Sequence, residues 1–135
     1  MSRYLALAQP VAFKTSLSDL ITLTWEDQGV SADFAIPGDA SRALTVQFDR
    51  THVVRILDEM PLSTENLNTP SEGLVAEHFA YLVEDSRFWK SQSEALKLVH
   101  SNARHYRFVT GWTCLDVISD EKPVMIVTAR GPSRR

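Results

Sequence analysis

The sequence predicts an α+β fold: a curved, mostly antiparallel sheet of seven or eight short strands, with one or two short helices. Three observations predict it. Apolar and polar residues alternate with period two along most of the chain, as a half-buried strand requires. Clusters of Gly, Pro, Asp and Ser interrupt these runs at short intervals. Helical spacing is confined to the stretch from Ser86 to His100, so the strand-helix alternation of a parallel sheet does not occur.

Taken in order, Leu20 to Trp25 is the first strand, with Ile21, Leu23 and Trp25 on one face and Leu20, Thr22 and Thr24 on the other. Glu26 to Gly29 is a turn in which Gly29 supplies the positive φ. Val30 to Ile36 follows, stopped by Pro37-Gly38-Asp39, and Ala43 to Phe48 alternates most cleanly of all. After a turn at Asp49 to His52, Val53 to Leu57 completes an expected meander of about four strands. Met60 to Ser71 is a long polar loop broken by Pro61 and Pro70. Thr69-Pro70-Ser71-Glu72 has the form of a capping box, and Phe79 to Val83 favours a strand over a continuing helix. Ser86 is placed to cap a helix reaching toward His100. His105 to Val109, Thr113 to Ile118 and Val124 to Ala129 are the closing strands, with reversals at Thr110-Gly111 and Ser119 to Pro123. The predicted core comprises Leu44, Val46, Phe48, Val54, Ile56, Phe108, Leu115, Val117 and Ile126.

A chain of 135 residues is of single-domain size, giving one domain over 1–129 and a flexible basic tail over 130–135. Fourteen basic against seventeen acidic residues leave a net charge of −3, which excludes the broad cationic face of a nucleic-acid binder. The apolar run Tyr4 to Ala8 ends at Gln9-Pro10, too short for a signal core, and no run has the length of a membrane span. Cys114 is the single cysteine, so no intramolecular disulfide forms and a reducing, cytoplasmic setting is expected.

Candidate chemistry is sparse. His52, His78, His100 and His105 show no metal-ligand spacing; His100 and His105, five apart, fall on different helix faces, so no metal and no cofactor is expected. Cys114 is the one candidate nucleophile, with His105 on the neighbouring strand and Asp116 two residues on. A lone cysteine inside an amphipathic strand is more commonly a small buried hydrophobe. Asp58-Glu59 closes a strand and could act as acid and base or hold a divalent cation, but adjacent strand residues point to opposite faces, which favours a solvated strand end or a partner for Arg55. Trp25 and Trp112 stand beside polar turns, where an indole can anchor an interface, and Arg55, Asp58, Glu59 and Tyr106 join them as candidate binding residues.

One wider pattern recurs: Phe48-Asp49 through Val53, Arg55 and Asp58-Glu59, then Val83-Glu84-Asp85-Ser86 and Trp89, then His105-Tyr106-Arg107-Phe108 with Asp116-Val117 and Pro123. It resembles a scattered group of small uncharacterised bacterial proteins. The resemblance implies a bacterial cytoplasmic α+β protein and brings no activity or catalytic residue. The expectation is therefore a non-catalytic protein-binding or assembly module, such as an accessory or toxin-immunity protein. Its partner would be another protein or itself in a homodimer held by Trp25, Trp112 and open sheet edges, with no nucleic acid and no membrane. The alternative is a small hydrolase or isomerase using His105, Cys114 and Asp116.

Overall fold

The computed structural model describes residues 2–27, 29–58 and 71–130. They form β1 (Ser2–Ala6), a 3-10 turn (Thr15–Leu17), β2 (Leu20–Glu26), β3 (Gly29–Ile36), β4 (Asp39–Phe48), β5 (Thr51–Asp58), β6 (Ser71–Glu72) and β7 (Ala80–Glu84). α1 (Arg87–Lys90), α2 (Glu94–Val99), β8 (Arg104–Phe108), β9 (Thr113–Ser119) and β10 (Val124–Ala129) follow. The fold is α+β and mostly strand, but the strands make two sheets rather than one. The larger has the order β5-β9-β8-β7-β1-β6 and the smaller β10-β4-β3-β2. The β1–β6 pairing is parallel and the other pairings antiparallel.

The expected four-strand meander breaks at Asp49-Arg50, where the chain leaves the small sheet at the end of β4 and starts β5 at the edge of the large one. The sheets pack through Phe34, Leu44, Val46 and Phe48 on one side and Phe79, Phe108, Leu115 and Val117 on the other. Edge-to-face contacts between Phe34 and Phe79 (4.7 Å) and between Phe48 and Phe108 (6.0 Å) fill the middle. Truncating one of these rings would cost about 3–5 kcal/mol, because the close-packed surroundings cannot collapse into the space.

The opposite face of the large sheet is covered by α1, whose Phe88 packs with Ala103, Ile118 and Val53. Period two therefore divides β9 cleanly: Leu115 and Val117 face the small sheet, while Asp116 and Ile118 face the helix.

Several expectations are corrected. A bulge between Leu20 and Thr22 puts Leu20 and Leu23 on the same, core-facing side, displacing the simple alternation. Asp27, not Gly29, takes the positive φ of that turn, at 53°. Ser71-Glu72 extends beside β1 as a strand instead of opening a helix. The helical stretch after Ser86 holds two short helices, within the one or two expected, because Ser93 caps a second start by accepting from the Leu96 amide. β1 is a strand read in the sequence only as an apolar run; Ser2 and Tyr4 point inward, and Arg3 and Leu5 outward. Ile56 and Ile126 are not core residues, for they lie on edge strands and are 49% and 40% exposed. Met60 to Pro70 of the expected loop and the tail beyond Arg130 lie outside the described residues.

Candidate functional site

Asp116 is the fourth residue of β9, and register places Arg55 of β5 and Arg107 of β8 directly opposite it on either side. Cross-strand neighbours lie roughly 5 Å apart, so a row of one carboxylate between two guanidinium groups follows from pairing alone. Arg55 reaches Asp116 Oδ2 through Nε (3.0 Å) and Nη2 (2.8 Å). Arg107 Nε donates to Oδ1 at 2.7 Å, and Nη1 of the same residue donates to the Tyr4 hydroxyl. His105, two positions along β8 on the same face, adds a 2.6 Å bond from Nε2 to Oδ1. The Arg55 guanidinium lies 4.1 Å from the centre of the Phe88 ring, which closes the outer side.

Burial alone would raise the pKa of Asp116; the His105 hydrogen bond and the Arg107 charge outweigh it and hold the carboxyl well below its ordinary range. For His105 the balance falls the other way. Desolvation lowers its pKa despite the Asp116 partner, and the nearby Arg107 and Arg55 charges add to the lowering. His105 is therefore neutral near pH 7. The partners fix its tautomer: Nε2 faces a carboxylate and carries the hydrogen, leaving Nδ1 to accept from Ser86 Oγ at 2.6 Å. Ser86 Oγ accepts the Trp89 amide hydrogen at 3.0 Å, capping α1.

Ser86, His105 and Asp116 thus stand in the order of a nucleophile relay. Both ends are tied, the serine as a buried helix cap and the aspartate by two arginines. A pocket of about 260 Å³ reaches Ser86 and His105 between Trp89, Lys90 and Arg104.

Of the sequence candidates, His105 and Asp116 meet and Cys114 does not join them. His105 faces Ile118, four residues from Cys114 and so roughly 13 Å along β9 at about 3.3 Å per residue. Tyr106 is buried between the sheets against Phe48 rather than offered to a partner. Arg55 serves Asp116, while Asp58 ends β5 opposite Thr113 and Glu59 lies outside the described residues. Trp25 and Trp112 are both exposed but not neighbours. Gly111, beside Trp112, donates to Ser18 just ahead of β2, whereas Trp25 is five residues beyond Leu20, roughly 17 Å along the strand.

In the sequence Ser86 reads only as a cap, and nothing in the local pattern marks Tyr4 or Arg107 as site residues. The available signal was a set of charged residues at one parity of otherwise apolar strands, where a buried charge needs a partner.

A second constellation was not expected. His52, His100 and Asp120 come together with one ligand-capable atom of each within 4.8 Å of the others. Comparison of the chain with family models, curated proteins and solved structures returns no match.

Proposed function

We propose that the chain is a non-catalytic binding and assembly module that pairs with a second copy of itself along the outer edge of β10. The carrying observation is the contrast among the four sheet edges. β2 is bulged, β5 is bulged and carries Arg55 and Asp58, and β6 is two residues long. Each of these devices discourages strand addition. β10 has none of them: Val124-Met125-Ile126-Val127-Thr128-Ala129 is uncharged, lacks Pro and Gly, and pairs with β4 without a register shift. Among the described residues no strand covers its other side. Val124 and Ile126 are exposed there, and such a segment left in water invites another strand.

An antiparallel pairing about a two-fold axis would join two small sheets into one of eight strands. A register centred on Ile126 would set Lys122 against Arg130, so the axis passes one residue to either side. The tied ends of the Ser86–His105–Asp116 chain support a binding role over a hydrolytic one. The lone buried Cys114 supports placing the protein in a reducing cytoplasm.

Sedimentation equilibrium at micromolar concentration tests the pairing. The expected species has twice the chain mass, and Ile126→Lys reduces it to the chain mass with an unchanged circular dichroism spectrum. A species of chain mass in the unaltered protein refutes the reading. The hydrolytic alternative keeps one supporting observation, the pocket that reaches Ser86 and His105. Labelling of Ser86 by a fluorophosphonate probe would replace the binding reading with it.

A further inference from the structure

We propose that His52, His100 and Asp120 form a binding site for a divalent transition-metal ion, with zinc as the ion these donors suit. The three residues are distant in sequence, and a local irregularity brings them together. Thr51 pairs with Ser119 and Val53 with Ile118, so His52 is the extra residue of a β-bulge. In an unbroken strand His52 would share the parity of Val54, which packs between the sheets. The bulge releases it from that alternation, and re-aiming a side chain is a common use of a bulge beside a functional site. Its ring stacks instead on His100, with centres 3.7 Å apart and planes 23° apart.

His100 is held by backbone on both sides, since its amide donates to Leu96 (2.9 Å) and its carbonyl accepts from Ala103 (2.9 Å). Asp120 follows β9 directly, and its Oδ2 lies 3.1 Å from His52 Nε2.

That last contact is the informative one. His52 Nε2 is buried and lies within hydrogen-bonding distance of a carboxylate, yet the directions of the groups do not make a bond. A buried nitrogen left unbonded is costly, and proteins rarely retain one without a use. Two atoms that approach closely but point past one another are placed as co-ligands of a third atom. Bonds of about 2.0–2.1 Å to a tetrahedral zinc put ligand atoms roughly 3.3 Å apart, close to the separation here.

Two imidazoles and one carboxylate form a borderline N/O donor set of the kind that suits zinc, with a fourth position open. The His52 and Asp120 side chains are 13% and 22% exposed, so an ion can enter from solvent. A polar groove lined by Asn102, Arg104 and Lys122 also adjoins Asp120, and the Arg104 and Lys122 cations favour an anion over water in the fourth position. In the stack the two rings occupy nearly parallel planes, so His100 must rotate about its Cβ–Cγ bond to direct a nitrogen at the ion. Binding therefore unstacks the pair.

Isothermal titration of the chelator-dialysed full chain with zinc chloride tests the site. One ion per chain is expected, at micromolar or tighter dissociation constant. His100→Ala should weaken binding at least 100-fold, whereas His78→Ala should leave it unchanged. His100 stands at the end of α2, so its loss threatens the fold least, and circular dichroism of the metal-free variant checks that. Nitrogen chemical shifts provide an independent readout: zinc should move the imidazole signals of His52 and His100 and leave those of His105 in place. Absence of binding at 100 micromolar zinc overturns the proposal, as does binding that His100→Ala leaves intact.

Discussion

Replacing Asp116 by Asn tests whether the buried ionic row acts as a clamp between β5, β9 and β8. Asn is nearly isosteric, so the substitution removes the charge and one acceptor without opening a cavity. The carboxylate is fully buried and receives four donor groups, from Arg55 Nε and Nη2, Arg107 Nε and His105 Nε2. An amide can turn only one oxygen toward them, so its NH₂ must face either the Arg55 fork or the Arg107–His105 pair. Arg107 is also buried and then loses the carboxylate its Nε donates to. Breaking a buried ion pair from one side costs about 3–5 kcal/mol. That is a large part of the roughly 5–15 kcal/mol that holds a domain together. With a urea slope of about 2 kcal/mol per M, a loss of about 4 kcal/mol lowers the unfolding midpoint by about 2 M. Urea titration followed by tryptophan fluorescence reads it. Arg55→Met, Arg107→Met and Asp116→Leu combined should recover part of the loss, because the two cations of the row are removed together with its anion. A loss below about 1 kcal/mol for Asp116→Asn would refute the clamp, as would a combined variant less stable than the single one.

Other outcomes follow from the same network and its surroundings. His105 has a pKa below its unfolded value, so the unfolded chain binds the extra proton first. Stability is then full above about pH 6.5 and falls as pH drops below it, by up to about 1.4 kcal/mol per unit for one proton. Asp116, also depressed, extends the loss at pH values below about 4. Urea midpoints between pH 7.5 and 5.5 should show the first slope, and His105→Gln should flatten it. Ser86→Ala removes the α1 cap and leaves His105 Nδ1 without its donor. The expected cost is about 2–4 kcal/mol by thermal unfolding, and a loss under about 1 would mean the hydroxyl is dispensable. Gly111→Ala would drive a methyl group into the Ser16 carbonyl, whereas Gly38 has open space around it and only its φ of 83° to satisfy. Gly111→Ala should therefore lower the melting temperature more than Gly38→Ala; the reverse order would overturn the packing assigned to that turn. Cys114 is fully buried, so its alkylation by iodoacetamide should track global unfolding rather than thiol ionisation.

Much of the strand content was legible because alternation is a local property. Val30 to Ile36, Ala43 to Phe48 and Thr113 to Ile118 lie within β3, β4 and β9, and Ser86 caps a helix as its residue type suggested. The assignment of strands to sheets was not legible. Nothing at Asp49-Arg50 distinguishes a hairpin from a crossing between sheets, since either needs a polar reversal. The same limit explains Ile56 and Ile126, whose apolar side chains suit a core position until their strands turn out to be edges.

By itself, the sequence determined which residues alternate, where the chain can turn, and that a lone cysteine and a balanced charge bound the chemistry. Only the tertiary structure decided which strands are neighbours. Through register, that choice placed Arg55, Asp116 and Arg107 in one row. Through one bulge, it brought His52 to His100 and Asp120. The physical reason is that periodicity is written in residues two or four apart, whereas a buried charge or a metal ligand is satisfied by partners tens of residues away. Those partners come together only when the sheets close on their shared core.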